Sequence, residues 1–329
     1  MLDIPSSAPE PLRDDVSSLD ALLTRLEAGR PLVLGGDPVS SFAARGVETS
    51  GAAPLGRAVR ENPAAVSEHY RQEIAAGSDV IVAVTDETMP RALAQIGMAF
   101  RSAALTGAAV DLAIEAVGTA HRPVVVAGLL GARWIAPALP ERITEEYAMH
   151  ATRLSTSGCD LIIARGFSPE AFRHGTQLAR MARLSAIVSA CATQLPTWAL
   201  LETSDGERVV DGDSLEEGTR AAVEAGVHAV LVDVPSESAA KAALEIVLRA
   251  GAPRVGVLLA ASPECQHGVP DTTTSVEAWA AACKRLVDAG ARFVGGGAGT
   301  TAKHVAVLAR VLGPKGSGSE RSPMWPQAV

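Results

Sequence analysis

Along the chain, stretches with apolar residues at helical spacing end repeatedly in a small residue plus glycine, and a short run of branched aliphatic residues follows. This punctuation occurs at Ala76-Gly77, Ser157-Gly158, Ala225-Gly226, Ala250-Gly251 and Ala289-Gly290, ahead of runs at 79–84, 160–164, 229–234, 254–259 and 292–296. A glycine closes a helix in the left-handed conformation at little cost, and a strand buried on both faces reads as continuous apolar sequence. Each instance is the helix-to-strand half of a βαβ unit. Three runs without the glycine keep the rhythm, at 31–34, 123–127 and 197–201, and bring the expected strands to eight. Helix starts lie between them: Asn62-Pro63 and Ser168-Pro169 place a capping residue before proline, and Ser214 with Glu217 forms a capping box.

Eight βα units build either an open doubly wound sheet or a closed barrel. No Gly-x-Gly-x-x-Gly follows the first strand, and the even spacing favours closure. The expected architecture is a single-domain α/β (β/α)₈ TIM barrel over residues 31–312. Residues 1–30 form an N-terminal extension with a helix over 16–28, and 313–329, rich in Gly, Ser and Pro, a flexible C-terminal tail.

Composition narrows the function. Of 329 residues 47% are hydrophobic and 20% charged, enough apolar material for a large core, and only 3% are aromatic, as suits interiors filled by small and branched side chains. A net charge of −8 with no Lys/Arg cluster longer than a pair excludes the footprint of a nucleic-acid binder and makes a small-molecule substrate the default. Residues 1–15 lack an apolar core, and no apolar run is long enough to span a bilayer, so a cytoplasmic protein without membrane partners is expected. Four cysteines without a CxxC pair suit reduced thiols, and Cys159, Cys191 and Cys283 read as packed thiols.

In such a barrel chemistry sits where the strands end. The last strand runs into Gly295-Gly296-Gly297-Ala298-Gly299-Thr300-Thr301, with His304 beyond. This resembles the Gly-Gly-Cys-Cys-Gly-Thr signature of the homocysteine S-methyltransferase family, with Gly297 and Ala298 where the cysteines stand. Glu61-Asn62-Pro63 with His69-Tyr70 and Ala76-Gly77-Ser78-Asp79 is similar to the approach to the family's second strand, Gly158-Cys159-Asp160 to its fourth, and Leu195-Pro196-Thr197-Trp198 with Asp211-Gly212-Asp213-Ser214 to its fifth and the turn after it.

The resemblance implies transfer of a methyl group to a thiol, in a site holding zinc through three cysteines. A thiol has a pKa near 8.5, and coordination removes its proton outright. The third ligand position falls on Val234, after Asp233. With Val234, Gly297 and Ala298 at the three positions, no cofactor is expected and the zinc mechanism should not operate. The other strand ends differ too: Gly35-Gly36-Asp37-Pro38 follows the first, Thr85 ends the second where the family has Thr-Asn-Thr, and Arg165-Gly166 replaces a Glu-Thr whose glutamate is implied to hold the substrate's amino group.

The site residues expected from this reading are Asp233 and Glu202 for catalysis, and Arg165, Thr85, Asp86, Glu87, Gly296, Gly297 and Thr300 for substrate binding. Arg165 either receives an anionic group bidentately or neutralises the acidic rim. The glycines before Thr300 either cradle an anion at a helix start or serve packing. Cys265, His267 and Asp233 are the candidates for a rebuilt metal site. Three functions stay open: a divergent methyltransferase working without the usual zinc, a catalytically silent barrel (a pseudoenzyme) serving as a binding or assembly partner, and a lyase or hydrolase using Asp86, Glu87, Glu202 and Asp233. A homo-oligomer or a protein partner fits any of them.

Overall fold

The helix-closing glycines adopt the backbone that only glycine takes readily: Gly77 has φ 106° and Gly290 φ 117°. The chain turns there from helix into strand. The computed structural model describes residues 17–132, 140–167, 176–265, 269–271 and 274–313. Most of the expected N-terminal extension before its helix, and the tail beyond 313, lie outside these residues, as does His267.

The strands are β1 Leu32–Val33, β2 Val80–Ala83, β3 Val125–Ala132, β4 Leu161–Phe167, β5 Thr197–Glu202, β6 Ala229–Val234, β7 Val255–Leu259 and β8 Phe293–Gly296. The first six helices are α1 Ser18–Glu27, α2 Pro38–Ala43, α3 Pro54–Glu61, α4 Pro63–Ala76, α5 Pro90–Ala94 and α6 Ser102–Val117. The rest are α7 Pro140–Thr156, α8 Thr176–Cys191, α9 Leu215–Glu224, α10 Glu237–Arg249, α11 Val276–Asp288 and α12 Ala302–Leu312. All strand pairs are parallel in the order β1-β8-β7-β6-β5-β4-β3-β2, and a bridge from Leu34 to Val80 joins the two ends of the sheet. The result is the (β/α)₈ TIM barrel that the rhythm of the sequence predicts.

Period-two alternation along the strands sorts the core into two layers. Leu32, Leu34, Val80, Val125, Ala127, Leu161, Ile163, Trp198, Leu200, Ala229, Leu231 and Phe293 fill the barrel, with Trp198 and Phe293 ring centroids 4.4 Å apart. Their alternates, such as Val126, Ile162, Ala199 and Val230, pack outward against the helices. Leu22 and Leu26 of α1 join the inner layer and close the amino end of the barrel. Arg25 fixes that lid by a bidentate pair to Asp79, which is 3% exposed and also accepts from Val33 N–H at 2.9 Å.

β3 and β4 run further than their apolar sequence suggests, to Ala132 and Phe167 rather than 127 and 164. Glycines break the apolar run that marks a strand, yet Gly131 pairs with Gly166 after a register shift at Leu130/Gly131. A Cβ on Gly131 would run into the Gly166 carbonyl, so glycine is what lets the ladder continue. Arg165 thereby lies inside a strand instead of a loop.

Candidate active site at the carboxyl ends of the strands

The alternation that fills the barrel also aims the last inward residues of three neighbouring strands at its mouth. Leu161 and Ile163 point inward on β4, so Arg165 does; Trp198 and Leu200 set Glu202 on β5, and Ala229 and Leu231 set Asp233 on β6. Glu202 and Asp233 are register partners. Arg165 Nη2 donates to Glu202 Oε2 at 2.8 Å. Burial by itself would lower the basicity of Arg165, but Glu202, Asp233 and Asp86 outweigh it and raise its pKa, so it stays charged. One guanidinium thus shares the electrostatic influence of three acidic side chains. The arrangement matches the rim-neutralising role for Arg165 more directly than an anion-receiving one.

The other expected residues divide. Asp86 is 4% exposed and belongs to the electrostatic group around Arg165. Glu87 turns elsewhere: its Oε2 accepts from Leu55 N–H at 2.6 Å, satisfying the first turn of α3, which has no side-chain cap of its own. Thr85 is buried, its hydroxyl bonded to both the carbonyl and the N–H of Leu129 at 2.9 Å, which stitches β2 to β3.

The glycine loop after β8 is locked by its own backbone. Gly296 N–H donates to Gly35, Gly297 N–H to Leu259 and Thr300 N–H to Gly297, while Thr301 N–H reaches His304 Nδ1. Four of the loop's backbone donors are thus committed to acceptors within the protein. Thr300 is fully buried; its hydroxyl donates to Gly297 O at 2.7 Å and accepts from Asp37 N–H at 3.0 Å. A Cβ on Gly297 would lie 3.0 Å from Asp233 Oδ1 and 3.0 Å from Ala260 N. The Asp233 carboxylate thus occupies the side-chain space that position 297 gives up.

Between β5, β6 and β8 opens a cleft of about 180 Å³, lined by Glu202, Thr203, Asp233, Val234, Cys265 and Ala298 among others. Cys265 Sγ lies 3.2 Å from Ser262 Oγ. The cleft therefore contains a thiol and two carboxylates beside valine and alanine side chains that offer no lone pair. Among the described residues no group of three His, Cys, Asp or Glu side chains is placed to hold a metal ion.

Two features escaped the sequence. Arg183 of α8 is 3% exposed and holds the loop after β5, donating to Asp211 Oδ2 at 2.6 Å and Asp213 Oδ2 at 2.7 Å. An arginine on an amphipathic helix reads as a solvated residue, and only Asp211-Gly212-Asp213 hinted at a partner. Glu73 of α4 is the other: 2% exposed, it accepts from Gly36 N–H at 3.1 Å, and burial pushes its pKa up to about 7. Burial likewise lowers His69 to about 3 and His150 to about 4 and raises the Cys159 thiol to about 12, so these are neutral packed groups. No described helix is long and apolar enough to cross a membrane.

Comparison with known proteins matches this fold. Solved structures of the homocysteine methyltransferase MmuM from Escherichia coli superpose on 90% of the chain. The metallated form does so with a TM-score of 0.71 at 19% identity over 100% of its own chain. The oxidised form gives 0.71 at 20% identity over 99%, and the apo form 0.63 at 19% over 100%. At such identity the likeness shows the fold. A search of curated proteins found no significant match. The sequence profile of the family described as homocysteine S-methyltransferase matches residues 32–312, which is the whole barrel, and the chain belongs to that family.

Proposed function

We propose that this protein is a divergent methyltransferase of its family that takes a small cationic methyl donor at the carboxylates of the barrel mouth and works without a three-thiolate zinc. The observation that carries the reading is the group formed by Arg165, Glu202, Asp233 and Asp86, in which three acidic side chains surround one guanidinium. A transferable methyl group is most reactive on positively charged sulfur or nitrogen, and a water-poor pocket of carboxylates attracts that charge. The anionic substrate suggested by Arg165 alone would have to displace Glu202 from the guanidinium.

The zinc of the family does not fit these residues. The resemblance sets Val234, Gly297 and Ala298 at its ligand positions, and an isopropyl group, a hydrogen and a methyl group cannot coordinate. In the proposed reaction the acceptor's lone pair forms the new bond to the methyl carbon, and the bond to the cationic sulfur or nitrogen breaks, leaving a neutral group. A thiol acceptor passes its proton to Glu202 or Asp233. Typical carboxylates are roughly 4.4 pKa units less basic than thiolates, so that transfer costs about 6 kcal/mol and implies slow turnover on an unactivated thiol. A more acidic thiol or another nucleophilic acceptor suits the site better.

Thermal-shift and calorimetric titration of the full chain with S-methylmethionine, S-adenosylmethionine and phosphorylated small acids tests the charge preference. The reading expects stabilisation by the sulfonium compounds and its loss in Asp233→Asn. Stabilisation by the phosphorylated acids alone contradicts it. A silent barrel is the second reading, favoured by the modest cleft with Val234, Ala260 and Ala298 in its wall. Binding of a sulfonium compound without methyl transfer to any thiol offered would support it.

A further inference from the structure

Behind the Arg165–Glu202 pair lies a cavity of about 10 Å³ lined by Arg165, Arg183, Leu200, Glu202, Val209, Val210 and Asp211. Arg165 and Arg183 are 7% and 3% exposed. Each keeps one buried guanidinium donor, Arg165 Nε and Arg183 Nη1, with no hydrogen-bond partner in the protein. Arg165 Nη2 donates to Glu202, and Arg183 Nε and Nη2 donate to Asp211 and Asp213. Two unsatisfied donors around one small cavity is a costly coincidence, because a buried donor without a partner loses roughly 1–3 kcal/mol and more when charged.

We infer that this cavity is the site of one structural water, through which Arg183 acts as a positioning residue for Arg165 and Glu202. The volume is about what a single water needs, and the lining residues suit its bonding: two arginines, each with one unsatisfied N–H that would donate to its oxygen, and Glu202 and Asp211, whose carboxylates would accept its two hydrogens. A halide would satisfy the donors but would meet the Glu202 and Asp211 carboxylates with Asp213 behind them. A cation would face two guanidinium groups. Neutral water alone uses all four walls.

The bridge connects two parts of the protein. Arg183 belongs to α8 and, with Asp211 and Asp213, fixes the loop between β5 and α9; Arg165 and Glu202 belong to the mouth of the barrel. The backbone reinforces the link, since a Cβ on Gly166 would come within 2.6 Å of Arg183 Cα. The functional weight of the bridge rests on the proposed role of Glu202 and Arg165 as ligand-site residues, whereas its existence does not.

A high-resolution crystal structure of the full chain, with a parallel crystal soaked in bromide, tests existence directly. The expected result is one solvent peak within hydrogen-bond distance of Arg165 Nε and Arg183 Nη1 and no anomalous bromide signal. An empty cavity, or bromide in it, overturns the inference. In solution, nitrogen-15-labelled protein should show slow exchange of Arg165 Nε–H and a nuclear Overhauser contact between that proton and a bound water, both lost in Arg183→Lys. If that variant fails to fold, the wild-type contact decides by itself. S-methylmethionine binding that weakens in Arg183→Lys while the free protein keeps its melting temperature marks positioning; equal binding in both proteins limits Arg183 to a structural role and contradicts the second half of the inference.

Discussion

The two sides of the barrel mouth are built on different principles. On the β8–β1 side the backbones of Gly35, Gly36, Gly296 and Gly297 approach one another; the N–H groups of Gly36, Gly296 and Gly297 donate to Glu73, Gly35 and Leu259, and the Gly297 carbonyl accepts from Thr300. On the β4–β6 side the chain presents Arg165, Glu202 and Asp233, with Arg183, Asp211 and Asp213 behind them. The side with the glycine loop after β8 is held by main-chain hydrogen bonds, and charge is concentrated on its neighbour.

The comparison breaks most readily at Arg165. Arg165→Met leaves Glu202, Asp233 and Asp86 without their shared counter-charge, and stripping one partner from such a buried set costs about 3–5 kcal/mol. Chemical denaturation at neutral pH should show that loss, and part of it should return as the pH falls and the carboxylates accept protons. A change below 1 kcal/mol would mean the cluster is solvated and Arg165 is not its shared counter-charge.

On the opposite side the titratable anchor is Glu73. Its folded pKa, about 7, lies above its ordinary 4.5 because of burial, so the folded state holds the proton more tightly. The sign follows: this contribution is fully present below about pH 4.5 and is lost as pH rises through 7, by about 3 kcal/mol in all. Glu73→Gln, which keeps an acceptor for Gly36 N–H, should be more stable than wild type at pH 8.5 and should lose that advantage at pH 5 in parallel urea titrations. An identical pH dependence in the two proteins would contradict the assignment.

Smaller effects refine the boundary between the sides. Gly297→Ala presses a methyl group against Asp233 Oδ1 and Ala260 N and should cost about 1–3 kcal/mol, less when combined with Asp233→Ala. Strict additivity in that double-mutant cycle would mean the two positions do not share space. Arg180→Ala removes a half-exposed partner of Asp213 and should cost under about 1 kcal/mol in the same assay, well below the cost of losing the buried Arg183 beside it.

Much of the fold was legible because closing glycines and continuous apolar runs are local signals. The strand extensions to Ala132 and Phe167 were not, because a strand passing through Gly131 and Gly166 depends on two strands meeting. At the site, Arg165, Glu202, Asp233 and Asp86 were legible from position at strand ends. Glu87 and Thr85 looked equivalent by that criterion, but their side chains turn to α3 and β3, a matter of rotamer and register that spacing does not contain. Arg183 and Glu73 were hidden for the opposite reason: charged residues on helices look solvated until the fold buries them.

Zinc content tests the central claim most directly. The full chain, incubated with excess zinc, desalted and analysed by plasma mass spectrometry, should retain well under one zinc per chain, and its melting temperature should not move. Retention near one zinc per chain that is lost in Asp233→Asn or Cys265→Ala would contradict the account, because the barrel mouth would then hold the metal through a rebuilt ligand set.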